Sequence, residues 1–214
     1  MSKLFIAEWA LMMILSYSVL YAEIGGFVGL TASNYTGKGV ESSKYLNGIS
    51  KYEIGGFYNR KFYRNYGMEI DFIYCFKGAI FEEFLNVNAT PGNALMVTRT
   101  ISADYLEIPI LFNYVLPQWK TLFPKVFIGP TFNYRFTDDY EYSHKDEPNF
   151  KDEFELEKTD YGLTFGGRIG FMLDDRNTLS VDFRYVRGLK KVNAKANDEI
   201  YNNSFEVMFG YYRR

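Results

Sequence analysis

The sequence predicts an all-β fold, an eight-stranded antiparallel up-and-down transmembrane β-barrel preceded by an N-terminal signal peptide. Three observations predict it. Apolar and polar side chains alternate over segments of about ten residues, the length of a tilted strand that crosses a bilayer. Short and long connections also alternate along the chain. Finally, aromatic residues make up 19% of the sequence, with 19 Tyr and 20 Phe, and these residues favour strands.

The N-terminus has the pattern of an export signal. Lys3 precedes an apolar run over residues 10–15, which continues through Val19 and Leu20 to Tyr21-Ala22. A charged start, a short apolar stretch and a small residue at the end are typical of a secretory signal peptide. We therefore expect a signal peptide over residues 1–22 and a barrel domain over residues 23–214. The alternative is an N-terminal membrane anchor, although the apolar run is short for a span.

Eight segments carry the alternation. In the fourth segment, Leu106 and Ile108 lie on one face while Tyr105 and Glu107 lie on the other. The first two segments are richer in Gly but keep the period of two. The eight predicted strands are 23–33, 49–59, 65–77, 101–116, 123–136, 159–173, 177–187 and 204–211.

The connections between these segments sort by length. Three are short and rich in Asn, Asp or Pro, which are turn-forming residues: 59–64, 117–121 and 174–177. Four are longer and polar: 35–47, 77–100, 137–158 and 188–200. Strict alternation of the two kinds is expected of a membrane barrel with tight periplasmic turns and longer outside loops.

Each predicted strand has one apolar face and one mixed face. The mixed face combines Gly, Ser and Thr with charged residues, namely Glu53, Glu69, Asp71, Glu107, Arg135, Arg168, Asp182, Arg184 and Glu206. A soluble lipocalin-like barrel would turn the apolar face inward, whereas a membrane barrel turns it toward lipid. Strand length, the export signal and Tyr near strand ends favour the membrane arrangement. We then expect the inward charges to pair as a plug, with an ion filter as the alternative.

Several stretches resemble a known family. YLEIPILFNY at 105–114, VFIGPTFNYRF at 126–136, DYGLTFGGRIGF at 160–171 and FRYVRGL at 183–189 are similar to the porin-family, PorT-like outer-membrane β-barrel domain of Bacteroidetes-type bacteria. The resemblance extends over approximately residues 23–214. It implies an eight-stranded barrel in the outer membrane, and it implies little chemistry.

The composition gives no sign of an enzyme, a cofactor or a metal centre. One Cys, Cys75, excludes an intrachain disulfide and is interpreted as a small apolar filler, while one His, His144, excludes a multi-histidine metal site. A net charge of -2 gives no electrostatic case for nucleic acid. We expect a structural or interaction role through the extracellular loops, with a narrow ion or small-solute channel and a surface enzyme as alternatives. The expected partners are the lipid bilayer, lipopolysaccharide, the barrel-insertion machinery and an unidentified protein.

Two further features have specific interpretations. The acidic loop 137–158 contains His144 together with Asp138, Asp139, Glu141, Asp146, Glu147, Asp152, Glu153, Glu155 and Glu157. We interpret it as a solvated loop; the alternatives are divalent-cation bridging to lipopolysaccharide phosphates and a catalytic His144 with Asp146 or Asp139. The repeated EIGGF at 23–27 and 53–57 predicts that its glycines relieve crowding where strands curve.

Overall fold

The computed structural model describes residues 22–37, 45–86, 94–142, 155–193 and 199–213. Within these residues, eight antiparallel strands close into a barrel in sequence order, so the predicted fold class is confirmed. No helix among the described residues is long and apolar enough to span a membrane. The predicted signal peptide lies outside the described residues except for Ala22. The strands are β1 (Ala22–Gly37), β2 (Tyr45–Tyr63), β3 (Tyr66–Asn86), β4 (Ala94–Val115), β5 (Leu122–Tyr142), β6 (Thr159–Met172), β7 (Asn177–Gly188) and β8 (Ile200–Arg213).

The three short connections lie at one end of the barrel, which we call the turn end. The β2–β3 turn has Arg64 at φ 42°, and the β4–β5 turn has Lys120 at φ 54°. In the β6–β7 turn, the Asp174 carboxylate accepts hydrogen bonds from the side chain of Asn177 and from the backbone N–H groups of Arg176 and Asn177. These bonds, the Asn177 side chain first, lower the pKa of Asp174. Both ends of the strand series, the start of β1 and the end of β8, lie at this turn end.

The two faces of the sheet have the predicted orientation. Phe72 and Phe209 on the outer face are 56% and 60% exposed, whereas Asp71 and Arg184 on the inner face are 0% and 1% exposed. Apolar side chains therefore cover the outside and charged side chains line the bore. This is the arrangement of a barrel whose solvent is lipid.

Outward aromatic residues pack together at two levels of the barrel wall, which we call belts. Near the turn end, the ring centroids of Tyr66 and Tyr114 lie 5.0 Å apart. Toward the opposite, loop end, Tyr74 packs against Phe76 with centroids 5.3 Å apart. Ten residues of β3 separate Tyr66 from Phe76, which is about 25 Å along the barrel axis at the usual rise and tilt. The belts thus delimit an apolar band as thick as an outer membrane requires.

The predicted loop 77–100 is wrong, because β3 and β4 continue far beyond the outer belt. Their pairing runs on from Lys77↔Ala103 to Asn86↔Ala94. Above the membrane the outer face of a strand meets water instead of lipid, so alternation of apolar and polar side chains is no longer required. The alternation therefore stops in the sequence while the strands continue.

The connections predicted at 137–158 and 35–47 are also shorter in the structure than predicted. Strand β5 extends to Tyr142, which pairs with Arg99 of β4, and β2 begins at Tyr45, which pairs with Glu82 of β3. As a result β3, β4 and β5 contain 21, 22 and 21 residues, whereas β6, β7 and β8 contain 14, 12 and 14. We call the extension the protruding sheet; it comprises residues 45–48, 77–86, 94–104 and 135–142.

Candidate functional site

The lower half of the bore is closed by a network of ion pairs centred on Arg168 of β6. Its Nε and Nη2 donate to the two oxygens of Asp182 on β7, both at 2.7 Å. Its Nη1 and Nη2 donate to the two oxygens of Glu69 on β3, at 3.0 and 2.9 Å. One guanidinium therefore makes two bidentate pairs, the geometry that suits arginine and carboxylate best. These contacts join opposite walls of the barrel.

Further pairs extend this network through the cross-section. Arg184 donates to Asp71 at 2.6 Å and to Asp182 at 2.9 Å. Toward the turn end, Lys125 lies 3.3 Å from Glu23 and 3.4 Å from Glu69. We call this network the plug; it comprises Glu23, Glu69, Asp71, Lys125, Arg168, Asp182 and Arg184. The predicted pairing of inward charges is confirmed at this level.

Aromatic rings surround the two arginines of the plug. The rings of Phe27 and Phe57 stack with centroids 6.2 Å apart. The Arg168 guanidinium carbon lies 4.3 Å from the Phe57 centroid, and that of Arg184 lies 5.3 Å from Phe27 and 5.2 Å from Phe127. Such cation–π contacts add attraction where the cations are desolvated.

The EIGGF repeat makes room for these rings. The two copies pair with each other, with Gly25 opposite Phe57 and Phe27 opposite Gly55. A Cβ at Gly25 would lie 2.7 Å from the Phe57 ring, and one at Gly55 would lie 2.6 Å from the Phe27 ring. Each phenylalanine therefore covers the glycine of the other copy. The glycines accommodate rings in the bore, which is more specific than the predicted relief of curvature.

Above the plug, the bore contains a second group of buried charges, which we call the chamber. It comprises Glu53, Lys77, Glu107, Asp160 and Glu206, each at most 4% exposed. Lys77 pairs with Glu107. Neither oxygen of Glu53 has a hydrogen-bond partner among the described residues, and neither does Oε2 of Glu206.

The plug and the chamber differ in charge balance. Among the described residues, the buried charged side chains number eight carboxylic acids and four bases. The plug holds four acids and three bases, and Lys61 at its rim lies 3.2 Å from Glu23. The chamber holds four acids and one base. The excess of carboxyl groups over bases is therefore concentrated in the upper half of the bore.

A lid covers the mouth of the bore at the loop end; it comprises residues 155–158 and 190–193. Leu156 bridges to Asn193 and belongs to a buried apolar cluster with Tyr35, Ile101 and Ile200 from other walls. Arg135 fixes the lid, since its Nη2 donates to the Leu156 carbonyl at 2.7 Å and its Nε to the Glu157 carbonyl at 3.2 Å. The bore is thus closed below by ion pairs and above by apolar packing.

The acidic loop is only partly described. His144, Asp146, Glu147, Asp152 and Glu153 lie outside the described residues, so the hypotheses of a catalytic His144 and of cation bridging by the whole loop stay predictions. The interpretation of Asp138 as part of a solvated loop is wrong. Its carboxylate lies on β5, pairs with Arg135 at 2.7 Å and accepts a hydrogen bond from Tyr140.

The remaining site residues follow the alternation of the strands. Cys75 faces inward and is 1% exposed, consistent with the predicted filler. Sequence reasoning missed four inward charges, Glu23, Lys77, Lys125 and Asp160. The signal was present, because Lys125 has the same parity as inward Phe127 and Lys77 the same parity as Cys75. Both lie within the predicted strands 65–77 and 123–136, so following the alternation to the ends of these strands would have found them.

A closed eight-stranded barrel with a lipid-facing apolar surface and an ion-paired bore is the architecture of outer-membrane β-barrel proteins. The sequence matches the outer membrane protein beta-barrel domain family over residues 12–193, and the chain belongs to this family. The protein is accordingly located in the outer membrane.

Solved structures agree on the fold. OprG from Pseudomonas aeruginosa is similar with a TM-score of 0.54 at 12% identity, over 90% of this chain and 95% of that one. Neisserial surface protein A is similar with a TM-score of 0.51 at 9% identity, over 89% of this chain and 96% of that one. No curated protein matches the sequence significantly. At these identities the likeness concerns the fold alone.

Proposed function

We propose that this protein is a closed outer-membrane barrel that acts as a structural and interaction protein through the parts that extend beyond the membrane. The observation that supports this most is the double closure of the bore. Arg168 and Arg184 fill the cross-section within the membrane, and Leu156 packs over the mouth. Eight strands already leave an interior just wide enough for side chains. Free diffusion of solutes is therefore not the function that this geometry supports.

The protruding sheet is the surface that we assign to interaction. Ten residues of β3, Lys77–Asn86, stand above the outer belt, which corresponds to about 25 Å at the usual rise and tilt. Among the described residues, β5 beyond Arg135 pairs with β4 and not with β6. Its edge carries exposed Asp139 and Glu141, and charges of this kind protect a strand edge from unspecific pairing.

The partners follow from location. We propose the lipid bilayer and lipopolysaccharide around the barrel, the insertion machinery during assembly, and an unidentified protein at the protruding sheet. Arg187 supports contact with lipopolysaccharide phosphates, because it lines a groove at the outer rim with Tyr201, Leu189 and Thr36. The motifs at 105–114 and 160–171 support a PorT-like, Bacteroidetes-type affiliation. The proposal includes no catalytic role.

Conductance in planar bilayers tests the closure. Wild-type protein at high load should show no steady conductance. A variant without both closures, Arg168→Ser, Arg184→Ser and Leu156→Ala, should conduct, provided that its heat-dependent gel mobility shows a folded barrel. Arg176→Ala, at an exposed position of the β6–β7 turn, serves as the control. Steady conductance of the wild type would refute the closed barrel.

Complementation tests the interaction role. Strands β3 and β4 can be shortened together by deleting residues 82–86 and 94–98, since Glu82 pairs with Thr98, and joining the ends with a short turn; this keeps Ile101 and the buried cluster beneath the lid. We expect the shortened barrel to fold in the membrane but to leave the phenotype of a gene-deletion strain uncorrected. Arg168→Met, which changes the bore alone, should correct it. The opposite result would assign the function to the bore.

A narrow cation path is the second candidate, and the chamber is the observation that favours it. Unbalanced carboxylates in a pore attract cations and repel anions. Conduction would require both the plug and the lid to move. Cation-selective openings of the wild type in the bilayer experiment would favour this candidate over the first.

A further inference from the structure

The chamber brings carboxylates from four strands together without enough bases to pair them. Glu53 on β2 has Glu107 and Glu206 as its acidic neighbours, and Arg184 and Lys77 as its basic ones. The Arg184 guanidinium is already bonded to Asp71 and Asp182 in the plug, and the Lys77 ammonium is bonded to Glu107. Glu53 consequently has two free acceptor oxygens, 2% exposed, inside the barrel. The ionised form of a carboxyl group in such surroundings is costly unless a cation pairs with it.

Neutral side chains independently indicate a ligand in the same space. Thr31 Oγ1, Tyr105 Oη and Asn133 Oδ1 face inward without a hydrogen-bond partner among the described residues, and these residues are 0%, 0% and 4% exposed. Thr31 is paired with Glu206 across β1 and β8. Asn133 is paired with Glu107 on one side and Asp160 on the other. The two hydroxyls can accept a hydrogen bond and Asn133 Oδ1 can only accept one, so the three atoms are compatible with a ligand that donates.

We propose that the chamber binds a small organic ammonium ion. An ammonium group has three donors and no acceptor, which complements the surrounding oxygens. The contact of Lys77 with Glu107 shows that the chamber already accommodates one such group. The described residues contain no set of three or more His, Cys, Asp or Glu side chains arranged to hold a metal ion. The walls also include buried Ile73 and Met208, which suit the alkyl part of an organic cation.

Access to this site from the loop side requires displacement of the lid. Leu156 is 2% exposed and closes the mouth through its contacts in the apolar cluster. The plug lies beneath, so a cation that enters past the lid stops in the chamber. The inference goes beyond the interaction role and does not depend on it, because a chamber with one entrance binds without conducting.

Cys75 provides the test, because it is the chain's single cysteine and is paired with Glu53 between β2 and β3. The probes are 2-aminoethyl methanethiosulfonate, a primary ammonium, and 2-sulfonatoethyl methanethiosulfonate, an anion. In each reaction the Cys75 thiolate attacks the sulfenyl sulfur, a disulfide forms and methanesulfinate leaves. Rates are measured on folded Leu156→Ala protein in detergent and are divided by the rates with a free thiol such as glutathione.

We expect the cationic reagent to label Cys75 at least about tenfold faster than the anionic one after this normalisation. Nearby carboxylates attract the cation and repel the anion, and a tenfold ratio of rates requires only a modest difference in electrostatic free energy. The ratio should fall toward one when Glu53→Gln and Glu206→Gln are added. Asp139→Asn, which changes an exposed carboxylate outside the chamber, should leave it unchanged. Ethylammonium chloride should slow labelling, whereas sodium chloride at equal ionic strength should not.

Three results would overturn the proposal. Equal normalised rates would show that the chamber does not prefer cations. Protection by sodium or magnesium at the same or lower concentration than ethylammonium would show that the site is not selective for an ammonium. No labelling by either reagent in Leu156→Ala would show that the chamber does not take up ligands past the lid. The variants' heat-dependent gel mobility establishes that each is folded, and bilayer conductance, measured separately, reports on the closed barrel alone.

Discussion

Arg168 is the residue whose removal should destabilise the barrel most clearly. Arg168→Met keeps an unbranched apolar stem of similar reach but removes all four hydrogen bonds to Glu69 and Asp182. Breaking a buried ion pair from one side costs about 3–5 kcal/mol, because the remaining charge stays buried without its partner. Asp182 would keep Arg184 at 2.9 Å and Glu69 would keep Lys125 at 3.4 Å. We therefore expect Arg168→Met to lower the free energy of unfolding by about 3 kcal/mol, the lower end of this range.

The assay is urea unfolding in lipid vesicles. Trp119, which is 68% exposed at the turn end, reports by fluorescence, and heat-dependent gel mobility reports in parallel. With a denaturant dependence of about 1–3 kcal/mol per molar urea, a loss of about 3 kcal/mol lowers the unfolding midpoint by about 1–3 M. The matched control is Arg187→Met, because Arg187 is exposed at the rim and should change the free energy of unfolding by less than about 0.5 kcal/mol.

A second substitution tests the electrostatic reasoning itself. Arg168→Met leaves four acids and two bases in the plug, and adding Glu69→Gln restores the original excess of one. The double variant should therefore recover about 1 kcal/mol or more relative to Arg168→Met, as expected for residues that interact directly. A loss below about 1 kcal/mol for Arg168→Met, or a further loss in the double variant, would refute the plug as a source of stability.

Three more predictions concern the backbone and the turns. Gly55→Ala should destabilise the barrel by about 1–3 kcal/mol in the same urea assay. The added Cβ would lie 2.5 Å from the Phe72 carbonyl oxygen and 2.6 Å from the Phe27 ring. Gly26→Ala is the control with little effect, because the nearest atom to its added Cβ would lie 3.5 Å away. Lys120→Gly should stabilise by about 1 kcal/mol, since φ 54° is left-handed backbone that a residue with a Cβ adopts at a cost; an unchanged midpoint would contradict this. Asp174→Ala should lower the free energy of unfolding at neutral pH. Because the pKa of Asp174 is lowered in the folded turn, the difference in the free energy of unfolding between wild type and variant should shrink as the pH falls below the ordinary range of aspartate. A difference that stays constant down to pH 2 would argue against the hydrogen-bonded carboxylate as its origin.

Much of the barrel wall was predictable from local pattern. The alternation at Leu106 and Glu107, or at Phe183 and Arg184, separates the two faces of each strand, because successive residues of a strand point to opposite faces. Strand length, the export signal and Tyr near strand ends then favoured the arrangement with the apolar face toward lipid. The strict alternation of short and long connections predicted that the three tight turns lie at one end of the barrel. The residues at which strands end were not predictable, since β3 and β4 continue into water, where no alternation marks them.

The candidate site was predictable only in its ingredients. The sequence identified Glu69, Arg168 and Asp182 as inward charges, but 99 residues separate Glu69 from Arg168. No pattern of neighbouring residues indicates that these side chains contact each other. Nor does any such pattern indicate that Arg184 belongs to the plug while Glu53 has no hydrogen-bonded base. Leu156 of the lid lies within the predicted loop 137–158, and no sequence pattern indicated its position over the bore.

The sequence by itself determined the class of fold, because side-chain alternation is a property of neighbouring residues. Strand length, the N-terminal export pattern and Tyr near strand ends favoured the lipid-facing apolar surface and the location in the outer membrane. The tertiary structure decided which charges pair, where the unpaired ones collect and how far the sheet protrudes. These depend on the register and stagger with which the strands close into a barrel, and that closure brings together residues that are distant along the chain.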